Sequence, residues 1–534
     1  MLAIDAANRS LIQQWAAEGI LPNIQSLISA GLVGETSSVD GFFVGSTWPS
    51  FYTGTTPARH GLHSHLQLKP GTYDFVYWKS KPELTRKEPF WNHLSRAGRR
   101  VAILDVPLTT VSTGLRGIQS VEWGCHDAIY GFRTWPVGLA ATIRSRFGMH
   151  QLGPCCDADS RSLQDFQSLV DRLVRGARRK GELTRYLLAQ GGWDFFMQVF
   201  SESHCAGHQC WHLQDPQHPA FDPEASSKIG NPLRDVYSAI DAAIGDILQE
   251  VDGDARVVLL IAHGMSHWYG AQFLLREILY RLQAAFPKTP PPIRSGILPP
   301  PSDLLARCWR GLPVPVRSSL KPVAKTMRGW LEKEPPLPAL HADPARSRCF
   351  LVDNGHLVGG IRLNLIGREP QGLLQPGAEA DSFCSELARD LLQIVDERTG
   401  TQVIRRVRRT AELYRGECLE ELPDLLVEWN DELPRGSVVV GAGSAATVRL
   451  SSPKIGILEG VNDYNRTGDH RIGGMFVATG PGITPGRLER TTSIMDFAPT
   501  FTQLLGVDFN QYDGQAISEL VESAAAYVDA QAQR

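Results

Sequence analysis

Short apolar runs alternate along this chain with longer stretches whose apolar residues recur every three or four positions. The runs include Arg99–Pro107, Gly192–Phe200, Ala255–Ile261 and Gly474–Thr479. Each has the length and the β-branched or aromatic content of a buried strand. The stretches with helical spacing are Leu11–Ala30, Pro89–Ala97, Ser162–Leu188, Pro232–Val251, Ala380–Asp396 and Ser493–Leu505. Strands that alternate with helices predict an α/β fold, a doubly wound and mostly parallel sheet flanked by helices. Met1–Ile4 reads as the stub of a first strand, while Cys349–Leu365 and Asp424–Trp429 read as later ones. The alanine-rich tail Glu519–Arg534 reads as a last helix or a frayed end.

The pattern fails between these blocks. Pro287–Pro301 holds seven prolines in fifteen residues, and six more follow by Pro338. No regular element survives that density, so an irregular insertion, a lid or a plain surface loop, is expected there. The resulting division is 1–275 for the first part of an α/β core, 276–345 for the insertion, 346–435 for a cap or core continuation, and 436–534 for the return to the core.

Composition narrows the picture only slightly. A chain of 534 residues with 42% hydrophobic and 21% charged residues is ordinary for a soluble globular protein. A net charge of −3 gives no reason to expect a nucleic-acid polymer as partner, and the basic run Arg405–Arg409 reads as a solvated face. Nine cysteines, scattered and odd in number, are not a disulfide framework and suit reduced thiols in the cytoplasm. No signal peptide is visible, and no apolar run approaches the length of a membrane span.

Chemistry gathers where predicted strands end. Gly192–Phe200 leads directly into Ser201–His212, SESHCAGHQCWH, at the strand edge where open α/β sheets place their ligands. His204 and His208 are four apart, so on a helix they share a face and can grip one metal ion. His212 continues the row but lies about 12 Å from His204, at about 1.5 Å per residue. Asp5 ends the first strand as a candidate ligand or helix cap, and His263 directly follows Ala255–Ile261. Gly45–His65 combines small hydroxyl residues with glycines, prolines and His60, His63 and His65. A hydroxyl nucleophile needs a tight turn or helix start, where backbone N–H groups and a metal stabilise its alkoxide. Ser46, Thr47, Ser50 and Thr53 all qualify by residue type.

Several of these segments together resemble one family. LPNIQSLISAG (Leu21–Gly31), STWPSFYTGTTPARHG (Ser46–Gly61), AILDVPLT (Ala102–Thr109), GIRLNLIGREPQG (Gly360–Gly372), DHRIGGMFVATGPGI (Asp469–Ile483) and IMDFAPTFTQLLG (Ile494–Gly506) are similar to segments of the alkaline-phosphatase-like superfamily, in its type I phosphodiesterase/nucleotide pyrophosphatase branch. The resemblance covers roughly 1–275 and 346–520 and implies two divalent ions, usually zinc with manganese as the other candidate. Such a pair clamps the attacking and leaving oxygens of phosphoryl transfer. It further implies Asp5, Thr47 and His263 at the first ion and His208 and His470 at the second. Thr47 is the implied nucleophile, forming a phospho-threonine that water then hydrolyses.

Two positions depart from the family pattern. His204 stands where the family has Asp, which gives a second site of His204, His208 and His470. Ala262 stands where the family has the Asp of an Asp-His pair, so the ion at Asp5, Thr47 and His263 is expected to bind more weakly. Glu202, Asp469 and His267 are the candidates to fill that gap. The expected activity is metal-dependent hydrolysis of a small-molecule phosphodiester or phosphoanhydride. The alternatives are a sulfo-, phosphono- or phosphoryl-transfer enzyme of the same fold, or a catalytically impaired metal-binding protein.

Overall fold

Leu2–Ile4 is three residues long, yet it occupies the middle of the largest sheet, between Phe195–Phe200 and Val257–Ile261 and parallel to both. The structure is a computed structural model that describes residues 1–78, 84–126, 130–150, 162–218, 220–268, 271–288, 340–355, 357–430, 447–461 and 466–522. The sheet runs in the order Gly486–Arg487, Leu32–Ser37, Gly473–Thr479, Val257–Ile261, Leu2–Ile4, Phe195–Phe200, Val101–Leu104, Gly117–Val121, Arg133–Trp135, with Thr492–Ser493 as a tenth strand paired to Leu32–Ser37. Gly473–Thr479 and Arg133–Trp135 run against the rest, so the sheet is mixed and mostly parallel, as the pattern predicts.

Period-two alternation fills both faces. Leu2, Ile4, Leu259, Ile261, Met475 and Val477 point to one side, against the helices Arg9–Ala17, Pro22–Ala30, Leu163–Leu188 and Pro232–Leu248. Ala3, Val258, Leu260, Phe476 and Ala478 point to the other, against Phe43–Thr53, Phe90–Arg96 and Phe497–Leu504. Helices on both faces make this the doubly wound arrangement. A separate antiparallel sheet of Cys349–Val352, Val358–Leu363, Leu425–Trp429 and Ile404–Arg409 carries its own core with the helix Ala378–Leu392.

The elements are shorter than the sequence pattern suggests, for local reasons. The Gly192–Phe200 run pairs only over Phe195–Phe200, because Gly191 and Gly192 take φ of 66° and 68° and turn the chain ahead of it. Arg99–Pro107 pairs only over Val101–Leu104, since Asp105 leaves the extended region at φ 52°. Leu11–Ala30 divides into two helices at Gly19 (φ 77°), and Pro22 opens the second. Cys349–Leu365 folds as an antiparallel strand pair, not one strand. Ser493–Leu505 begins with a capping box in which Ser493 and Asp496 satisfy each other's backbone N–H. The basic run Arg405–Arg409 is not simply solvated: Arg406 and Arg408 pair with Glu428, and Arg408 also with Asp40 at 3.0 Å. Most of the proline-rich stretch, from 289, and the tail from 523 lie outside the described residues.

One buried ion network underlies the carboxyl edge of the sheet. Lys180, inside the Leu163–Leu188 helix, donates to Gly124 O (2.8 Å) and Val199 O (3.0 Å). Its ammonium lies 3.6 Å from Glu202 and 3.9 Å from Asp105. Burial alone would lower the lysine pKa, but these carboxylates raise it. Glu202 also meets His150 at 3.0 Å.

Two substitutions test this core. Phe90, fully buried in edge or tilted contact with Phe51, Trp91, Phe195 and Phe501, is expected to cost about 3–5 kcal/mol as Phe90→Ala, read from urea unfolding. Lys180→Met strands two buried carboxylates and is expected to cost about 3–5 kcal/mol in the same assay.

Candidate metal centre

The Phe195–Phe200 strand runs straight into the helix Glu202–Gln214, whose residues through Leu213 are all buried. That helix aligns His204 and His208 on one face, as their spacing requires. The third histidine arrives from far away in the chain. Gly264–His267 and Gly468–Arg471 form a two-stranded antiparallel ribbon in which His470 pairs with Met265. Two glycines let the ribbon approach the helix. A Cβ at Gly468 would lie 2.4 Å from Gly207 O, and one at Gly207 would lie 2.5 Å from the Met265 side chain. Thr467 N donates to His208 O at 2.8 Å and locks the approach.

Three imidazoles therefore meet nitrogen to nitrogen. The Nε2 atoms of His204 and His208 are 2.8 Å apart, those of His204 and His470 2.9 Å, and those of His208 and His470 3.1 Å. The outer nitrogens of two of the rings set which nitrogen faces inward. His208 Nδ1 faces the Gly468 carbonyl at 2.8 Å, so Nδ1 carries the hydrogen and Nε2 presents a lone pair. His204 Nδ1 donates to Asp5 Oδ2 at 2.9 Å, which leaves its Nε2 in the same state. Burial, with Arg466 and the other histidines, pushes His208 well below its ordinary pKa. Burial, with His263 and His204, does the same to His470. Converging lone pairs at a buried point call for a cation. A tetrahedral zinc ion with Zn–N bonds of about 2.0–2.1 Å would hold its nitrogens roughly 3.3 Å apart, close to this triangle. Three imidazoles, one backed by a carboxylate and one by a carbonyl, fit such an ion.

The residues expected around a first ion are arranged differently. Asp5 Oδ2 accepts from His204, and Asp5 Oδ1 accepts from the Trp48 indole N–H at 2.9 Å. Burial would raise the pKa of this carboxyl, but His204, His263 and Trp48 outweigh it and hold it well below the usual carboxylate range. His263 Nδ1 lies 3.9 Å from Asp5 Oδ1, and neither of its ring nitrogens has a hydrogen-bond partner. Burial lowers its pKa to about 4. Its ring stands edge-on to that of His470, centroids 4.6 Å apart.

Thr47 sits one turn inside the helix Phe43–Thr53, not at its start. Its hydroxyl bonds Phe43 O at 2.5 Å, four residues back, and touches the Ser38 hydroxyl. The neighbouring Trp48 carries this helix against Asp5. The other candidate hydroxyls are committed elsewhere. Ser46 donates to Leu62 O at 2.7 Å and Thr53 to Pro49 O at 2.7 Å. Ser50 faces His60 Nε2 at 2.9 Å, but His60 Nδ1 already accepts from Leu62 N. The Nε2 then bears the hydrogen and is no base for Ser50.

The proposed replacements for the residue missing at Ala262 have partners of their own, except that the buried Asp469 Oδ2 has no hydrogen-bond partner. Ala262 is enclosed in the apolar cluster behind the sheet. Glu202 turns to Lys180 and His150. Asp469 pairs with Arg466 at 3.0 Å and accepts from His470 N at 2.8 Å. His267 Nδ1 meets Ser266 Oγ at 3.3 Å. His212, four residues beyond His208, packs on Phe166 and Thr467 away from the triangle.

Sequence reasoning missed His126. Its ring lies 4.1 Å from that of His204, tilted 39°, and its Nδ1 is 3.3 Å from Cys205 Sγ. It follows the parallel strand Gly117–Val121, so the same strand-end logic that marks Asp5 and His263 would have found it. A cleft of about 350 Å³ reaches the centre beside His470, lined among others by Arg471, His267, Arg405, Trp429 and Asn8.

Comparison with known proteins follows from this geometry. No curated protein matches the chain in sequence. Among solved structures, phosphonoacetate hydrolase from Sinorhizobium meliloti 1021, in complex with phosphonoacetate, is similar at 12% identity and a TM-score of 0.49 over 98% of this chain and 95% of that one. The same enzyme in complex with phosphonoformate gives 13% identity and a TM-score of 0.47 over 98% and 95%. Murine ectonucleotide pyrophosphatase/phosphodiesterase 5, as an inactive variant with AMP, gives 11% and 0.44 over 98% of each chain. The sequence profile of type I phosphodiesterase/nucleotide pyrophosphatase matches residues 1–284, more than half of the chain. With its mixed α/β sheet, its helices on both faces and its histidines at the sheet edge, the chain belongs to the type I phosphodiesterase/nucleotide pyrophosphatase family.

Proposed function

We propose that this phosphoesterase is metal-dependent and hydrolyses a small-molecule phosphodiester or phosphoanhydride, with Thr47 as nucleophile. The observation that carries the reading is the meeting of the His204, His208 and His470 Nε2 atoms within 3.1 Å of one another. A bound divalent ion supplies Lewis acidity toward a phosphoryl oxygen. The chain's own groups do the rest. Asp5 keeps the His204 ring in place, and the Gly468 carbonyl fixes the His208 tautomer. Ser38 and the Phe43 carbonyl hold the Thr47 hydroxyl at one position. From there its oxygen gives up its hydroxyl proton to solvent and forms the bond to phosphorus while the leaving oxygen departs with its electron pair; water then attacks phosphorus, losing a proton, and the Thr47 oxygen leaves and is re-protonated. The cleft beside His470, with Arg405 and Arg471 in its wall, suits an anionic substrate.

Two observations favour a second reading, a binding protein that has lost turnover: Ala262 offers no ligand, and the Thr47 hydroxyl is already bonded to Phe43 O. Hydrolysis of bis-p-nitrophenyl phosphate separates the two, since the binding protein shows none even when loaded with zinc or manganese. We place the protein in the cytoplasm because its six described cysteines are all free thiols. Among the described residues no helix is long and apolar enough to cross a membrane.

Thr47→Ala is expected to abolish this hydrolysis, by at least a hundredfold in kcat, with metal content and Tm nearly unchanged. Substantial residual turnover would transfer the nucleophile's role to another hydroxyl. His208→Ala is expected to remove both metal and activity, measured by elemental analysis alongside the rate.

A further inference from the structure

The family pattern has two ions, and the residues present suit only one. At the His204, His208 and His470 triangle, three lone pairs converge and each ligand ring except His470 has its other nitrogen braced. At the other position the donors are fewer and already shared. Both Asp5 oxygens accept N–H hydrogens, from Trp48 and from His204. Each N–H takes one of the two lone pairs on its oxygen, which leaves Asp5 a weaker ligand than an uncommitted carboxylate. The Thr47 hydroxyl is taken by Phe43 O and Ser38. Position 262 carries a methyl group within an apolar cluster, Glu202 and His267 are engaged elsewhere, and Asp469 is held to Arg466 through Oδ1. Of the expected first-site ligands only His263 is left with unpartnered nitrogens.

We infer that the centre is mononuclear, with one divalent ion on His204, His208 and His470, and that Asp5 is a positioning residue acting on His204 rather than a ligand. The replacement of Asp by His at position 204 explains the change of role. An aspartate there would repel Asp5 and need a cation between them, whereas the longer imidazole reaches across and hydrogen-bonds to it. A carboxylate behind a metal-bound histidine fixes the ring and raises its basicity. His263, buried beside His470 and released from ligation, is then the group we assign to hydrogen-bond a phosphoryl oxygen of the substrate, where the family uses the first ion.

The inference rests on the metal-dependent reading above, and cobalt(II) titration of the full chain, followed by visible absorption and elemental analysis, tests the two separately. The expected result is saturation at one equivalent, with the absorption of a three-nitrogen tetrahedral site and no further change up to three equivalents. Asp5→Asn is expected to keep one equivalent but bind it about 10–100-fold more weakly, and His263→Gln to keep one equivalent at nearly wild-type affinity. A second equivalent bound by the wild type would overturn the mononuclear centre while leaving a metal enzyme. Loss of a whole equivalent in Asp5→Asn from a protein that otherwise holds two would restore Asp5 as a ligand. No cobalt bound at all would overturn both readings. If Asp5→Asn does not fold, by circular dichroism, the wild-type titration alone still decides the count.

Discussion

The contact between Asp5 and His204 governs this centre. It joins the end of the first strand to the first turn of the helix that follows Phe195–Phe200, and it sets which nitrogen of His204 faces inward. With that ring fixed, His208 falls into place one turn further on, held by the Gly468 carbonyl. His470 closes the triangle from the opposite side on its ribbon. Each brace costs the chain a buried polar group, and each is matched by a partner in reach. Below the triangle, Lys180 lies between Glu202 and Asp105, with His150 also on Glu202 and the backbone N–H groups of Trp123 and Gly124 on Asp105. The acidic group nearest the centre by sequence, Glu202, is thereby kept for structure.

Why these groups sit at one edge follows from topology. Leu2–Ile4, Gly117–Val121, Phe195–Phe200 and Val257–Ile261 are mutually parallel, so their carboxyl ends lie on the same side of the sheet. Asp5, His126, His204 and His263 are the residues that follow those ends. The antiparallel strand Gly473–Thr479 enters from that same side, and His470 lies just ahead of it. A mostly parallel sheet, with the reversed strand Gly473–Thr479 beside Val257–Ile261, thus collects ligands up to 266 residues apart in sequence.

The proposed loss of one ion is a consequence of charge. Two dications beside each other need several carboxylates to offset their repulsion. This chain has imidazole at 204 and a methyl group at 262, and it turns the remaining carboxylate, Asp5, toward two N–H donors. The site that results is neutral in its nitrogens and backed by a single negative charge, which suits one ion better than two.

The α/β class, the central strands and the pairing of His204 with His208 were legible in the sequence. Alternation every two residues and recurrence every three or four are local properties that burial on both faces of a sheet imposes directly on the chain. The strand-end pattern also marked His263, and the family resemblance added His470, which no spacing rule connects to His204. Other features were settled only when distant segments met. The helix of Thr47 starts early enough to bury its hydroxyl, Glu202 turns away from the histidines, and His126 packs onto His204. Position and residue type could suggest each of those groups as a ligand. Which way a buried side chain points depends on the partner that satisfies it, and that partner comes from elsewhere in the chain.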